Sequence, residues 1–218
     1  LSYHHLDIEV APIVSTLMEL AEFFAPYVAS TEYLLNEWHA DGKKILFEGA
    51  QGTLLDIDFG SYPYVTSSHP LTAAASVGSG LAYNKLGRSI GIMKAYCTRV
   101  GIGAFPSELK NETGDEIRKK GNEFGSTTGR PRRCGWLDLV AMRYSAMING
   151  FDELALTLLD VLSGFESVKF CTAYQYNGQQ TAHFPANNEE LNQCQPIWTE
   201  LPGWSEDISH CQTFAELP

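Results

Sequence analysis

No stretch of the 218 residues approaches the run of about 18 apolar side chains that a membrane span needs, so no membrane partner is expected. Positive charge is scarce. Fifteen Lys and Arg stand against 26 Asp and Glu, a formal net charge of −11, which disfavours nucleic-acid phosphates as a partner. Beyond Tyr144 the single Lys or Arg is Lys169, against ten acids. The five cysteines, Cys97, Cys134, Cys171, Cys194 and Cys211, form no Cys-x-x-Cys pair, so the spacing of a zinc knuckle or redox dithiol is missing. Reduced, mostly buried thiols follow as the expectation. Cys134 follows two arginines, which predicts a thiol shifted towards thiolate. The start at Leu1 shows no signal-peptide pattern and the final Ala215-Glu216-Leu217-Pro218 closes no element, so both ends read as cuts.

The cations that exist are gathered. Eight of the 15 lie between Arg99 and Arg133. An acidic chain that concentrates cations in one stretch uses them locally on a small anion. Arg118-Lys119-Lys120 reads as a solvated surface run, whereas Arg130, Arg132 and Arg133 do not.

Residues 6–40 read as helical, with Ile13, Leu17, Leu20 and Phe24 at helical steps, Pro26 as a break and Asp41-Gly42 as a turn. The division expected is a helical segment over 1–42 and an α/β ligand-binding part over 43–218. Lys43–Glu48 reads as a short buried strand running into the glycine-rich turn Gly49–Gly52. Ser89–Cys97 and Glu153–Leu159 are further buried strand candidates, the latter ending at Asp160. A tight helix is expected within Thr72–Leu81, an irregular segment over Gly121–Gly135, and a helix over Trp136–Met147. Asn177-Gly178 between Val168–Gln175 and Gln180–Phe184 predicts a hairpin. After Ala186 the pattern fades. Strands that each run into a polar or glycine-rich loop imply an α/β fold with a mostly parallel sheet, flanking helices and a site along one edge.

Four segments carry chemistry. Gln51 in its glycine turn offers one acceptor and two donors to a heterocycle edge, although taken alone these residues read more readily as a plain β-to-α turn. The hydroxyl row Thr66-Ser67-Ser68, after Tyr62-Pro63-Tyr64, either binds phosphate or caps the next helix. Gly125–Arg133 packs three guanidiniums into four positions, which repel unless an anion or carboxylate bridges them. Pro131 keeps that stretch extended and turns Arg130 and Arg132 to similar sides. Asp160 after Leu158-Leu159 suits a purine N–H and exocyclic amine, or caps a helix.

Together these segments resemble the adenylosuccinate synthetase family. The resemblance is carried by Phe47–Gly52, Asp56-Ile57-Asp58, Tyr62–Ser68, Lys94-Ala95-Tyr96, Thr98–Gly101, Phe105-Pro106, Gly121–Gly125, Thr127–Arg130, Gly135–Asp138 and Pro202–Ser205, in family order from about Lys43 to Ser205. It implies an incomplete P-loop-NTPase-like synthetase fold and a cytoplasmic, homodimeric ligase. That ligase joins L-aspartate to IMP with GTP as co-substrate, through a 6-phosphoryl-IMP intermediate, to give adenylosuccinate, GDP and phosphate. By the resemblance, Gln51, Thr66, Val100 and Arg130 serve IMP. Ser126, Thr127, Thr128, Gly129, Arg130 and Arg132 serve aspartate, and Arg132, Leu158, Leu159 and Asp160 serve GTP. The family's catalytic aspartate and histidine, its phosphate-loop lysine and its Mg2+ ligands belong to a part not recognisable here, so no catalytic residue is assigned and the fragment is expected to be inactive alone.

Several positions depart from the family pattern. Leu158 replaces a usual lysine, which opens the alternative of a related ligase with another triphosphate or acceptor preference. Phe59 replaces a usual histidine, and His69–Ala74 replaces Asn-Thr-Thr-Ala-Gly-Gly. A non-catalytic nucleotide-binding or dimerisation module is the alternative from another class.

Overall fold

A computed structural model describes residues 8–125, 129–185 and 187–218. Helix α1 (Val10–Phe24) stops where Pro26 enters a 3-10 turn, and α2 (Thr31–Ala40) ends at Gly42, whose φ of 72° needs no Cβ. Residues 43–48 form no strand, and Leu46 is 90% exposed. The expected strand fails because a strand exists only where a neighbour completes its hydrogen bonds, and no described strand lies beside this one. A short helix α3 (Ala74–Ser79) follows within the predicted span.

The apolar run over 89–97 divides at Ala95 instead of forming one strand. Its first part, β1 (Ile90–Lys94), pairs in parallel with a later strand. Its second, β2 (Tyr96–Arg99), pairs antiparallel with β3 (Arg133–Asp138). Between them lies α4 (Glu112–Lys120), capped by Asn111. Arg118-Lys119-Lys120, expected as a solvated run, forms its last turn and complements the helix dipole. Gly135 sits inside β3, where a Cβ would lie 2.1 Å from the Ser107 carbonyl oxygen. The glycines before it had suggested no regular element through Gly135.

Helix α5 spans Leu139–Asn149, three residues later than expected, because Trp136 is a buried strand residue and Asp138 is the cap. Asp138 Oδ1 accepts from the amides of Val140 and Ala141, and its Oδ2 accepts from the Tyr174 hydroxyl at 2.6 Å. Strand β4 (Glu153–Thr157) is the parallel partner of β1, in register from Ile90↔Glu153 to Lys94↔Thr157.

The hairpin forms as Asn-Gly predicts. Strand β5 (Ser167–Tyr176) turns through Asn177 and Gly178, both at positive φ, into β6 (Gln179–Thr181). Two elements appear where the pattern had faded: α6 (Asn188–Gln193) and β7 (Gln195–Pro202), which runs antiparallel to β5 for most of its length. The class is α/β, with parallel pairing in β1–β4 and β3–β5 and antiparallel pairing in β2–β3, β5–β6 and β5–β7.

One apolar core gathers Tyr96, Ile117, Cys134, Trp136, Val161, Leu162 and Val168, and a second surrounds Val140, Cys171, Tyr174 and Leu191. Cys134 is wholly buried, and that burial pushes its thiol up to about 11. The two preceding arginines therefore do not make it a thiolate, because desolvation outweighs their attraction.

Candidate functional site

Gln51 adopts φ 64°, a left-handed conformation uncommon for a non-glycine residue, and is exposed at the end of its turn. Its Oε1 accepts from Ser68 Oγ at 3.1 Å, which leaves the amide nitrogen as the donor at its tip. Ser68 Oγ lies 2.9 Å from Thr66 Oγ1, which donates to the Leu55 carbonyl at 2.9 Å. Helix α3 has no side-chain cap. The hydroxyl row is therefore no cap for the next helix, and two of its hydroxyls brace the Gln51 turn instead.

Beneath this row, Asp56 is fully buried. Its Oδ1 accepts from the amides of Asp58 and Phe59, and its Oδ2 faces His69 Nδ1 at 3.1 Å. Burial alone raises the Asp56 pKa, yet those two amides and His69 together hold it below the ordinary value. His69, a departure from the family pattern, thus has a local reason. Phe59 is engaged through its carbonyl, which accepts from the Tyr144 hydroxyl at 2.7 Å. Nothing in the structure explains its exposed ring.

The arginine segment is a loop with a fastened base. Phe124 and Pro131 form an antiparallel bridge, Gly125 N donates to the Arg130 carbonyl, and Gly129, at φ 65°, donates to the Gly125 carbonyl. Arg130 and Gly129 are exposed at its rim, whereas Ser126, Thr127 and Thr128 lie outside the described residues. The three guanidiniums have different fates. Arg133 forms a two-pronged pair with Glu108, both contacts at 2.7 Å, and donates to the carbonyls of Gly101 and Gly103. It is a structural residue, not part of an anion site. Arg132 Nη1 pairs with Glu123 Oε2 at 2.7 Å.

The Tyr62-Pro63-Tyr64 bend and the arginine loop both join the end of one ladder. Arg99 and Arg133 are its last rung, and the residues that leave it are Val100 and Arg132. Arg99 reaches back to Ser61 Oγ and the Tyr64 carbonyl, which ties the Tyr-Pro-Tyr bend to this rung.

At the carboxyl end of β4, Leu158 takes φ 57° and packs against the first core. Asp160 opens a 3-10 turn in which no side chain caps the helix, so the capping alternative does not hold. Asp160 is exposed and stands between two open depressions. One, of about 320 Å³, also includes Lys120, Ser163 and Ser205. The other, of about 530 Å³, also includes Leu159, Ser209 and Phe214. The Pro202–Ser205 run is fastened here, with Trp204 Nε1 donating to Ser163 Oγ at 2.9 Å.

Lys94, Tyr96, Arg99, Glu108 and Glu123 were given no role by sequence reasoning. The available signal was an isolated acid: Glu123 is the sole carboxylate between Lys120 and Arg133.

A carboxylate turn after a parallel strand, a cation-bearing loop and a glutamine–hydroxyl turn make this an α/β protein whose loops carry polar and charged groups, where ligands sit in such folds. The chain belongs to the adenylosuccinate synthetase family, whose family model, "Adenylosuccinate synthetase", matches residues 1–218. It is 54% identical over 216 residues to the adenylosuccinate synthetase of Alkaliphilus metalliredigens, covering 99% of this chain and 51% of that protein. It is also 54% identical over 206 residues to that of Caldanaerobacter subterraneus, covering 94% of this chain and 48% of that protein. The solved structure of fully ligated adenylosuccinate synthetase from Plasmodium falciparum superposes with a TM-score of 0.95 at 38% identity, covering 99% of this chain and 52% of that one. The chain spans about half the length of the curated relatives it matches.

Proposed function

We propose that, in the complete protein, this chain supplies the acceptor-nucleotide and amino-acid side of a GTP-dependent ligase that joins L-aspartate to IMP. The observation that carries this reading is the shared rung. Val100, on the nucleotide side, and Arg132, on the amino-acid side, leave the same Arg99–Arg133 pair. Gln51, braced by Ser68 through its Oε1, presents its amide N–H donors to the purine edge, and Thr66 stands in the hydroxyl row behind it. Arg130 and Arg132, with Ser126–Gly129, hold the aspartate carboxylates, which leaves its amine free to attack carbon 6 of the purine. The 6-oxygen, once phosphorylated by GTP, departs as phosphate, and adenylosuccinate and GDP remain. The work of these residues is orientation and charge stabilisation. Asp160 accepts from the guanine base. Among the described residues no group of three His, Cys, Asp or Glu side chains is arranged to hold a metal, and no step is routed through magnesium.

The test is turnover by the full-length protein with IMP, aspartate and GTP, followed by adenylosuccinate absorbance. Arg130→Ala is expected to lower kcat/KM for aspartate by about 100-fold, the scale of a lost two-pronged charged hydrogen bond. Unchanged aspartate dependence removes the loop from the amino-acid site. Failure of the full-length protein to make product favours the non-catalytic binding module.

A second reading rests on Leu158, whose side chain packs into the core where a lysine is usual. Comparing GTP with ATP, and IMP with GMP, decides between strict and altered preference.

A further inference from the structure

Glu123 is 1% exposed and lies outside any helix or strand. Both its oxygens are occupied. Oε1 accepts from Lys94 Nζ at 2.5 Å and from the Tyr96 hydroxyl at 2.6 Å, and Oε2 accepts from Arg132 Nη1 at 2.7 Å. The same residue grips Arg132 by the main chain, since Arg132 N donates to the Glu123 carbonyl at 2.9 Å. Arg118 closes the frame: its carbonyl accepts from Glu123 N, and its Nε donates to the Arg132 carbonyl at 2.7 Å. Arg132 is therefore fixed at both its peptide and its guanidinium. Lys94 is the last residue of β1, opposite Thr157, the residue from which the Asp160 turn departs.

The charges in this cluster do not cancel. One carboxylate faces two cations, and Tyr96 contributes a neutral hydroxyl, so one positive charge remains. The carboxylate is buried, whereas Lys94 and Arg132 are 30% and 31% exposed. Both cations are therefore partly open to solvent above a carboxylate that is not. A buried ion cluster is a poor way to gain stability alone, because desolvation offsets attraction. It is an effective way to hold a cation in one orientation.

We infer that Glu123 is a positioning residue: by holding Lys94 and Arg132 on one buried carboxylate it aims Arg132 at the substrate carboxylate and sets the net charge that meets it. This rests on the reading of Arg132 as an aspartate ligand. It adds a residue that touches no substrate and acts through one that does.

The experiment is a double-mutant cycle in the full-length protein with Glu123→Gln, Arg132→Met and the pair. Glu123→Gln is expected to raise the aspartate KM by about tenfold, on the scale of a disturbed charge-assisted pair, with the IMP KM within about twofold of wild type. On the Arg132→Met background the same change is expected to raise the aspartate KM no further. A role confined to stability would lower the active fraction and melting temperature and leave the aspartate KM alone. That result overturns the proposal, as do independent, multiplying effects in the pair. Lys94→Met keeps the carboxylate–guanidinium pair and removes the surplus charge, so it serves if Glu123→Gln fails to fold. An aspartate KM rising about threefold or more supports the charge balance, and an unchanged KM overturns it. Wild-type protein that makes no product from aspartate and IMP overturns the underlying reading and this one together. Active wild type with an indifferent Glu123→Gln overturns this one alone.

Discussion

Arg133 and Arg132 are neighbours in the chain with opposite assignments, and their partners decide which is which. Arg133 meets Glu108 with both prongs and two loop carbonyls, so its charge is consumed within the fold. Its hydrogen bonds hold the Glu108 carboxyl below the ordinary glutamate value of 4.5. A depressed folded pKa contributes stability that is present above that value and is lost as pH falls through the folded pKa. Thermal melts are therefore expected to weaken below about pH 4.5, and Glu108→Gln to cost about 2 kcal/mol near neutral pH and flatten that acid limb. An acid limb unchanged by the substitution would count against this pair. Cys134 offers a second check. Its buried thiol is expected to resist alkylation at about pH 8 until the protein is unfolded, as peptide mass mapping would read. None of this was visible from the triplet of arginines, because spacing tells that like charges must find partners and not which partner each one finds.

Elements were legible where their signal is local. The helical steps of Ile13, Leu17 and Leu20, the Asn177-Gly178 turn and the strand ending before Asp160 each state their geometry within a few residues. The failures were non-local. Residues 43–48 look like a strand but lack a described neighbour, while β7, polar and carrying Pro196 and Pro202, becomes a strand because β5 lies beside it. The run over 89–97 is broken only by Ser89 and Lys94, and neither foretold that Ala95 would pass the chain from one sheet to another. The Pro202–Ser205 run shows the same dependence. A Cβ on Gly203 would lie 1.8 Å from the Phe165 carbonyl oxygen. Gly203→Ala is therefore expected to destabilise by about 2–3 kcal/mol in urea unfolding, through forced backbone displacement beside the Asp160 turn. A neutral result would mean that the β5–β7 ladder yields easily there.

Over the molecule as a whole, the apolar surface is not fully enclosed. Leu17, Met18 and Phe23 of α1 and Ile90, Ile92 and Leu154 of the β1–β4 pair each expose about half their area or more. Large apolar side chains exposed in such number seek cover. The 218 residues studied alone are expected to bind a hydrophobic dye and to associate with rising concentration, as light scattering would show. A monodisperse, dye-silent chain would contradict this. The parts of the candidate site were legible as separate strings, and what the sequence did not disclose was their assembly, because it runs through rungs and ion pairs between residues far apart in the chain. The Arg99–Arg133 rung has a thermodynamic corollary. On the proposed assignment, whatever draws one lip of that strand pair into place lowers the ordering cost for the other, so a ligand on either lip is expected to tighten one on the second, and linkage requires the enhancement to be equal in both directions.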